Sequence, residues 1–593
     1  MERRRGAIPA EFLLRVGAAW AIISALLLGV NWGAIVTFRF PDPDDVMRLI
    51  QVRDLLAGQG WFDVTQYRAN APGGGVPMHW SRLVDLPLAL VIFVLTPLLG
   101  SETAELAGLV IVPLITLGIA MVLAARIAWR LMGDEETTLT ALIMAVSVPI
   151  VFQLGPMRID HHGWQLVCAL MAMNGLMARS PVQGGRIIGA SLATWLMISI
   201  EGLPLAAAIF AVIAMRWLRN RHDRAMLVSA IQSLALTATA LFLLTRGIGD
   251  FASYCDAISP VHLAMFLWGA AVLTLLSRFE PLPLFVLLGG FALAGGGALG
   301  LFAASAPQCV TGGGFAELDP LVREHWYVGV NEGMPLWHQT LTAGLQYAVT
   351  PLLGLYAAIH LASRSSDWRQ RFWSDYAIIL GISFAIAIIV ARAGAVACLI
   401  AAPPLAWQFN RWLKAIRTME QPLPRVGALL AVACALLPTL PLSLSGLVLP
   451  AQARVASPAV GQLKMSNCRI EDSADILGAL PHGEIFAPLD ISPKLLLVSD
   501  HTVPATGHHR GNETMRMVIA TSLGSTEQAQ VILSQRGSRY VALCPNLTEP
   551  GNYRGASPDG FMADLLKGDV PEWLEAIPTA EGTSFKLWRV KPE

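Results

Sequence analysis

Three carboxylates stand within four residues, at Asp42, Asp44 and Asp45, directly after a long apolar segment. Carboxylates so close together repel one another unless a cation or protons compensate their charge. Oxygen ligands of this kind bind divalent ions such as Mg²⁺ and Mn²⁺. A carboxylate that is not held by a metal is also a candidate general base. The alternative is structural, because Asp42 and Asp44 could instead cap the amphipathic helix that follows them.

A second polar cluster, Asp160-His161-His162, lies in a short turn between two apolar segments. It offers one carboxylate and two imidazoles, a ligand set suited to a divalent ion such as Mn²⁺ or Mg²⁺. Asp160 could alternatively cap the helix that follows it. Because both clusters fall on the same side of the predicted membrane topology, we expect them to form one site, with Asp42, Asp44 and Asp45 as the catalytic candidates.

The composition indicates that these residues are positioned by membrane-spanning helices. Of 593 residues, 54% are hydrophobic and only 14% are charged, whereas globular proteins average about 25% charged residues. The 42 basic and 42 acidic residues balance to zero. A nucleic-acid partner is therefore not expected, since such proteins need a basic excess.

Apolar segments of about the 20 residues that cross a bilayer recur along the chain. We predict thirteen transmembrane helices, near residues 12–38, 104–125, 137–154, 164–178, 187–200, 203–218, 225–245, 261–277, 283–305, 340–361, 375–391, 394–410 and 424–449. The shorter apolar piece Leu86–Leu99 is more typical of an interfacial or re-entrant helix.

Arginine and lysine concentrate in alternate short loops, which fixes the orientation because cationic loops stay in the cytoplasm. The N-terminus is then cytoplasmic, and the loops 39–103 and 306–339 and everything after Leu449 lie outside the plasma (inner) membrane. Residues 1–449 form the membrane domain. Residues 450–593 alternate short apolar runs typical of strands, among them Leu495–Val498, with helical patterns and are predicted to be a small outer (periplasmic) α/β domain. Its Cys468 and Cys544 could form a disulfide or remain two buried thiols.

The motifs resemble those of one enzyme family. Asp44-Asp45-Val46-Met47-Arg48, followed by a helix and Gly60-Trp61-Phe62, resembles the first outer loop of the catalytic subunit of oligosaccharyltransferase. Asp160-His161-His162 is similar to the second acidic motif of that family, notably its archaeal form. The resemblance implies an all-α C-type glycosyltransferase fold with thirteen spans and an outer C-terminal domain.

The resemblance also implies roles for single residues. Asp44, with Asp42 or Asp45, and Asp160 would bind the divalent metal, Glu332 would be the mobile-loop glutamate at that metal, and Arg392 would bind the phosphate of a polyprenyl-linked saccharide donor. Two features depart from the family: Val46-Met47 replaces an aromatic pair, and the tail has no Trp-Trp-Asp motif for holding a protein acceptor. The acceptor class (glycan, lipid or protein) therefore stays open.

Two further groups are possible substrate-binding residues: Glu201, in an outer turn, and His508-His509-Arg510, in the tail. Each could equally be an exposed polar residue. The alternative to an enzyme that works among membrane lipids is a multi-pass transporter or flippase. Transporters place ionisable groups near the bilayer midplane and often contain repeated halves. Here the acids cluster in outer loops, which favours the glycosyltransferase.

Overall fold

The chain forms a helical bundle with a small mixed domain after it. The computed structural model describes residues 8–310, 318–442 and 467–592. The helices of the bundle and its loops, in chain order, are α1 (Ala10–Val36), α2 (Pro43–Leu56), α3 (Arg82–Leu99), α4 (Ser101–Leu131), α5 (Asp134–Val146), α6 (Val148–Leu154), α7 (His162–Gly175), α8 (Pro181–Ile198), α9 (Leu203–Arg219), α10 (Arg224–Thr245), α11 (Pro260–Arg278), α12 (Leu284–Ser305), α13 (Pro307–Val310), α14 (Pro320–His325), α15 (Leu341–Arg364), α16 (Asp367–Ile389), α17 (Gly394–Arg417) and α18 (Pro422–Leu436). A polytopic membrane protein with a small mixed domain is thus confirmed as the fold class.

The helices match the positions of the predicted spans, but not all have the length and composition of a span. Among the described residues, nine helices are long and apolar enough to cross a membrane, and the bent pair α5–α6 makes up to ten. That pair turns by 78° inside the segment predicted as one span over 137–154. The short α7 and α18, and the helices α8 and α17, fall outside this set, so the number of thirteen spans stays a prediction.

Helix α17 lies outside this set although most of its residues, from Gly394 to Asn410, are buried against other helices. By contrast, only Leu287 and Ala294 of the apolar α12 are buried.

Helix α3 forms a hairpin with α4 that turns at Gly100, where φ is +79°. By length and composition α3 could span a membrane. Helix α2 contacts both helices of the hairpin, because Arg48 pairs with Asp85 at 2.8 Å and Arg53 pairs with Glu105 at 2.7 Å. Whether α3 crosses the membrane or lies at its interface stays a prediction.

The C-terminal domain is built on a four-stranded sheet in the order β3-β4-β6-β5. The strands are β3 (Glu484–Phe486), β4 (Ser538–Leu543), β5 (Leu574–Ile577) and β6 (Lys586–Val590), while β1 (Thr65–Gln66) and β2 (Val76–Pro77) form a separate hairpin in the first outer loop. Strands β3 and β4 are parallel, whereas β6 is antiparallel to β4 and to β5. The helices around this sheet are Ala474–Ala479, Ser492–Val498, Asn512–Leu523, Thr526–Arg536, Thr548–Ala556 and Phe561–Lys567.

One detail of this domain differs from the sequence analysis. The apolar run Leu495–Val498 is part of a helix rather than a strand, since Pro493 starts a helix there and residues 492–497 are all buried. A short apolar run cannot distinguish a buried strand from a buried helix. The predicted boundary at residues 449 and 450 and the loop residues 311–317 lie outside the described residues.

The C-terminal domain docks on the first outer loop through a continuous apolar core. Ile50 and Val52 of α2 belong to the same buried cluster as Leu495, Leu496 and Ile485. Polar contacts border this core: Arg68 Nη1 donates hydrogen bonds of 2.8 Å to the carbonyl oxygens of Leu496 and Ser499. The domain is therefore packed against the loop that carries the acidic cluster.

Two disulfides lie in the predicted outer region. Cys468 pairs with Cys544, one of the two alternatives left open by the sequence. Cys255 pairs with Cys309 and ties the loop before α11 to helix α13, a pairing that the sequence analysis did not anticipate. Disulfides form on the oxidising side of a membrane, so their position agrees with an outer location for both segments.

Candidate active site

The acidic cluster is positioned by the first turn of α2. Asp42 is the N-cap of this helix, and its Oδ1 accepts a hydrogen bond from the backbone N–H of Asp44 at 3.0 Å. Pro43 occupies the first helical turn, where its missing N–H costs nothing. Burial raises the pKa of Asp42 to about 6. The capping role expected as the alternative is therefore real for Asp42, and it also aims the neighbouring carboxylates.

Asp45 is fully buried and its carboxylate holds the second motif in place. It accepts hydrogen bonds from the backbone N–H groups of Ile159 at 2.8 Å and Asp160 at 3.0 Å, and from Arg158 Nη1 at 2.9 Å. With these donors and no exposed surface, Asp45 lacks the access that a general base needs. The geometry makes it the anchor between α2 and the Asp160 loop.

Arg158 lies at the centre of the acidic cluster, a place that the sequence analysis did not assign to it. Its Nη1 is 3.3 Å from Asp42 and 2.9 Å from Asp45, and its Nη2 is 2.7 Å from Asp160. The side chain is 1% exposed. One cation thus compensates three carboxylates, which explains how so many acids fold together. The available sequence signal was that few arginines occur in the short loops predicted to lie outside the membrane.

Asp160, His161 and His162 form a compact group whose potential ligand atoms all lie within 4.8 Å of one another. Asp160 accepts from the backbone N–H of His162 at 2.9 Å, and its Oδ2 is 2.6 Å from Nδ1 of His162. The two imidazole rings stack at 4.3 Å. His162 Nε2 and His161 Nδ1 are buried without a hydrogen-bond partner.

The electrostatics of this group fit a divalent metal ion. Burial lowers the pKa of His161 to about 3, so its ring is neutral and has a lone pair to offer. Burial alone would raise the pKa of Asp160, but the adjacent Arg158 guanidinium outweighs it and holds that pKa well below its usual range. Burial would lower the pKa of His162, but the Asp160 carboxylate outweighs it and raises that pKa to about 9, so a metal ion would have to displace a proton from this ring. One neutral ring nitrogen, a second ring that can release its proton and an ionised carboxylate are ligands that Mn²⁺ accepts. The residues present therefore fit the expected metal.

Asp44 faces the same group from α2 and meets a residue of the C-terminal domain. Its Oδ1 lies 3.5 Å from Nε2 of His508, while Nδ1 of that ring is 2.8 Å from the Thr506 hydroxyl. Burial would raise the pKa of Asp44, but the contact with His508 outweighs it and lowers the pKa. His508 is 3% exposed and its ring lies edge-on to Trp80 at 5.0 Å. His508 is thus part of the site rather than an exposed loop residue.

Arg392, at the end of α16, is held by two carboxylates instead of extending into solvent. Its Nη1 is 2.5 Å from Glu201, and its Nη2 is 3.4 Å from Glu332. Its Nε is buried without a partner. The structure therefore brings Glu201, Glu332 and Arg392 together, although the sequence placed them in three separate loops.

His509 and Arg510 are engaged with Asp256, a residue missed by the sequence analysis. Arg510 forms a two-pronged pair with Asp256, with both distances 2.8 Å, and Nε2 of His509 is 2.8 Å from the same carboxylate. Tyr254 lies under the Arg510 guanidinium at 4.4 Å. Asp256 follows Cys255, so the disulfide ties this loop to α13 while the ion pair ties it to the C-terminal domain.

A cavity of about 440 Å³ connects these groups. Its membrane side is lined by Asp44, His161, Glu201, Glu332 and Arg392, and its outer side by the loop of His508 and His509. Asp490 and Glu549 of the C-terminal domain also line it, and neither was singled out in the sequence. Such a cavity is of a size that encloses a small ligand or part of a larger one.

The same fold occurs in solved structures of an archaeal oligosaccharyltransferase from Archaeoglobus fulgidus. Its complex with an inhibitory peptide and a dolichol-phosphate is 13% identical, with a TM-score of 0.62 over 98% of this chain and 74% of that one. The form tethered through a disulfide to an acceptor peptide with an NVT sequon is 14% identical, with a TM-score of 0.64 and the same coverage. A complex with Zn and sulfate is 14% identical, with a TM-score of 0.55 over 93% and 70% of the chains.

No family model matches this sequence, and no curated protein is similar to it in sequence. The structural similarity extends over nearly the whole chain and confirms the predicted C-type glycosyltransferase fold. Fold alone does not fix chemistry, so the activity has to be argued from the site.

Proposed function

We propose that this protein is an integral-membrane glycosyltransferase that moves a sugar or oligosaccharide from a polyprenyl-phosphate-type lipid donor to an acceptor outside the membrane. The observation that carries the proposal is the cavity lined by Asp44, His161 and Arg392 beneath the C-terminal domain, with Asp160 and His162 grouped around His161. The fold shared with a protein solved in complex with dolichol-phosphate supports it.

The metal-binding residues of the proposal are Asp44, Asp160, His161 and His162. When bound, a divalent ion would supply Lewis-acid stabilisation of the negative charge that develops on the departing phosphate. Glu332 stays a candidate ligand, although its carboxylate pairs with Arg392 at 3.4 Å. Asp45 and Arg158 hold the loop that carries Asp160.

Arg392 is the proposed contact to the donor phosphate. Its planar guanidinium matches the geometry of phosphate oxygens, and its unpartnered Nε leaves one donor group for such a ligand. Glu332 lies farther from Arg392 than Glu201 does. An incoming phosphate would therefore replace Glu332 more readily, and Glu201 would keep the arginine oriented.

The proposal is tested by mass spectrometry of lipid-linked saccharides and surface glycans from cells with and without this chain. A transferase predicts that one saccharide accumulates on its lipid carrier while the corresponding residue disappears from a surface product. A flippase, the alternative, predicts that the saccharide accumulates on the inner leaflet. Unchanged lipid-linked and surface saccharides would contradict both.

A further inference from the structure

The carboxylates that line the cavity differ in whether a donor holds them. Most are paired in the described structure: Asp42 with Arg158, Asp44 with His508, Glu201 and Glu332 with Arg392, and Asp256 with His509 and Arg510. A carboxylate engaged in this way is a poor proton acceptor, because it must first give up its partner.

Glu549 is also paired, and its partners orient a neighbouring acid. Its two oxygens accept hydrogen bonds of 2.8 Å from the backbone N–H groups of Leu489 and Asp490, and the Tyr553 hydroxyl donates to it at 2.6 Å. Asp490 follows strand β3 and Glu549 follows the parallel strand β4. Ligand sites in open sheets form beyond such carboxyl ends, and here that edge of the sheet faces the cavity.

Asp490 is the exception among these acids. It lines the cavity and is half-buried, yet no described residue donates a hydrogen bond to its carboxylate or forms an ion pair with it. Burial raises its pKa well above the usual value, and the negative charges of Glu549 and Asp42 add to this effect. Asp490 is therefore the cavity carboxylate that no described residue engages, and the hydrogen bond from its backbone N–H to Glu549 fixes its position at the cavity wall.

We propose that Asp490 is the general base of the reaction and that the acceptor it serves is a hydroxyl group, such as that of a glycan. This inference rests on the proposed function and names the acceptor class that the sequence left open. An alcohol needs a base at the moment of transfer, because its own acidity is too low at neutral pH.

The proposed step forms one bond, breaks one bond and transfers one proton. The acceptor oxygen forms a bond to the anomeric carbon while the bond from that carbon to the phosphate oxygen breaks. The proton of the acceptor hydroxyl moves to Asp490, which becomes neutral. The electron pair of the broken bond leaves on the polyprenyl phosphate, near Arg392.

The test compares the parent with Asp490→Asn, Asp490→Ala and the control Asp569→Asn. Asp569 is an exposed aspartate of the same domain that does not line the cavity. Membrane vesicles from producing cells supply the natural donor and acceptor, and mass spectrometry follows the glycan product with time. Losing a general base lowers turnover by about 10²- to 10⁴-fold, so we expect that loss in Asp490→Asn and none in Asp569→Asn.

Chemical rescue separates a proton acceptor from a structural residue. Sodium formate at about 0.1 M supplies a small carboxylate to the space left by Asp490→Ala. We expect it to restore part of the turnover, whereas sodium chloride at equal ionic strength does not. Turnover of Asp490→Asn within about twofold of the parent would overturn the assignment. If cells lacking the whole chain keep all their glycans, the proposed function itself is wrong.

Discussion

Arg158 Nη1 lies 2.9 Å from Oδ2 of Asp45, and neither side chain has more than 1% of its surface exposed. The same carboxylate also accepts from two backbone N–H groups of the Asp160 loop. Removal of one member of a buried ion pair leaves the other charge uncompensated. We therefore expect replacement of Asp45 to lower stability and replacement of the neighbouring Asp44 to lower activity with little effect on stability.

Asp45→Ala is expected to lower the free energy of unfolding by about 3–5 kcal/mol, the usual consequence of breaking a buried pair. Asp44→Ala removes a carboxylate that is 33% exposed and is expected to change stability by less than about 1 kcal/mol, yet to abolish transfer. Denaturation of the detergent-solubilised variants and a transfer assay measure the two effects. Equal stability of the two variants would contradict this division of roles.

The ring nitrogens of His161 and His162 lead to a prediction about the metal. His162→Ala is expected to weaken Mn²⁺ binding by more than about 10-fold, since even outer-shell partners of metal ligands contribute that much. Electron paramagnetic resonance of added Mn²⁺ measures the affinity independently of turnover. The exposed His222, replaced by alanine, is the control. An unchanged affinity in His162→Ala would remove His162 from the ligand set.

Arg392→Lys tests the phosphate contact. Lysine keeps the charge but not the planar fork, so one charge-assisted hydrogen bond is lost, worth about 1.5–3 kcal/mol. Donor turnover at concentrations below saturation should fall about 10-fold or more, while Mn²⁺ affinity stays unchanged. Arg425 is exposed, and Arg425→Lys should be silent. Activity of Arg392→Lys within about twofold of the parent would leave the donor site unassigned.

Asp256 gives a prediction about pH. Burial would raise its pKa, but hydrogen bonds from His509 and Arg510 outweigh burial and hold the pKa below its usual value. A lowered carboxylate pKa stabilises the folded state above the unfolded-state pKa of about 3.9, and this stabilisation is lost as the pH falls below it. The difference in melting temperature between the parent and Asp256→Asn should therefore shrink as the pH falls below about 3.9. A difference that stays constant or grows in this acid range would contradict the ion pair.

The orientation predicted from the arginine distribution is tested by cysteine labelling. Asp569→Cys, in the C-terminal domain, should react with a membrane-impermeant reagent from outside. His222→Cys, in the loop between α9 and α10, should react only after the membrane is permeabilised, because its neighbours include several arginines. Labelling of position 569 from the cytoplasm alone would require an even number of spans before the domain.

The fold was predictable to the extent that composition and periodicity determine it. The helix positions, the mixed C-terminal domain and the C-type fold were correct because apolar length and the period of a pattern are local properties. The prediction of a strand at Leu495–Val498 was wrong, because a short, fully buried run has no diagnostic period. The bend between Val146 and Val148 was not predicted, although Pro149 in the first turn of α6 is a local signal for a helix break.

The candidate site was predictable only where its residues adjoin in sequence. Asp42, Asp44 and Asp160 stand in recognisable clusters, whereas Arg158 appeared to be an ordinary loop arginine until its distances to three carboxylates were known. No sequence signal marks Asp490, because what distinguishes it is that no described residue donates a hydrogen bond to its carboxylate, whereas the other acids of the cavity have partners. Which acid is paired is a property of the tertiary structure alone.

The contact between Asp44 and His508 has a consequence for biosynthesis. Asp44 emerges from the ribosome early and His508 late, so the two can meet only after most of the chain has been made. The cavity is therefore incomplete during most of translation. A half-made chain has its acidic loop without the wall that closes over it, and the cavity forms in one step when the C-terminal domain folds onto that loop.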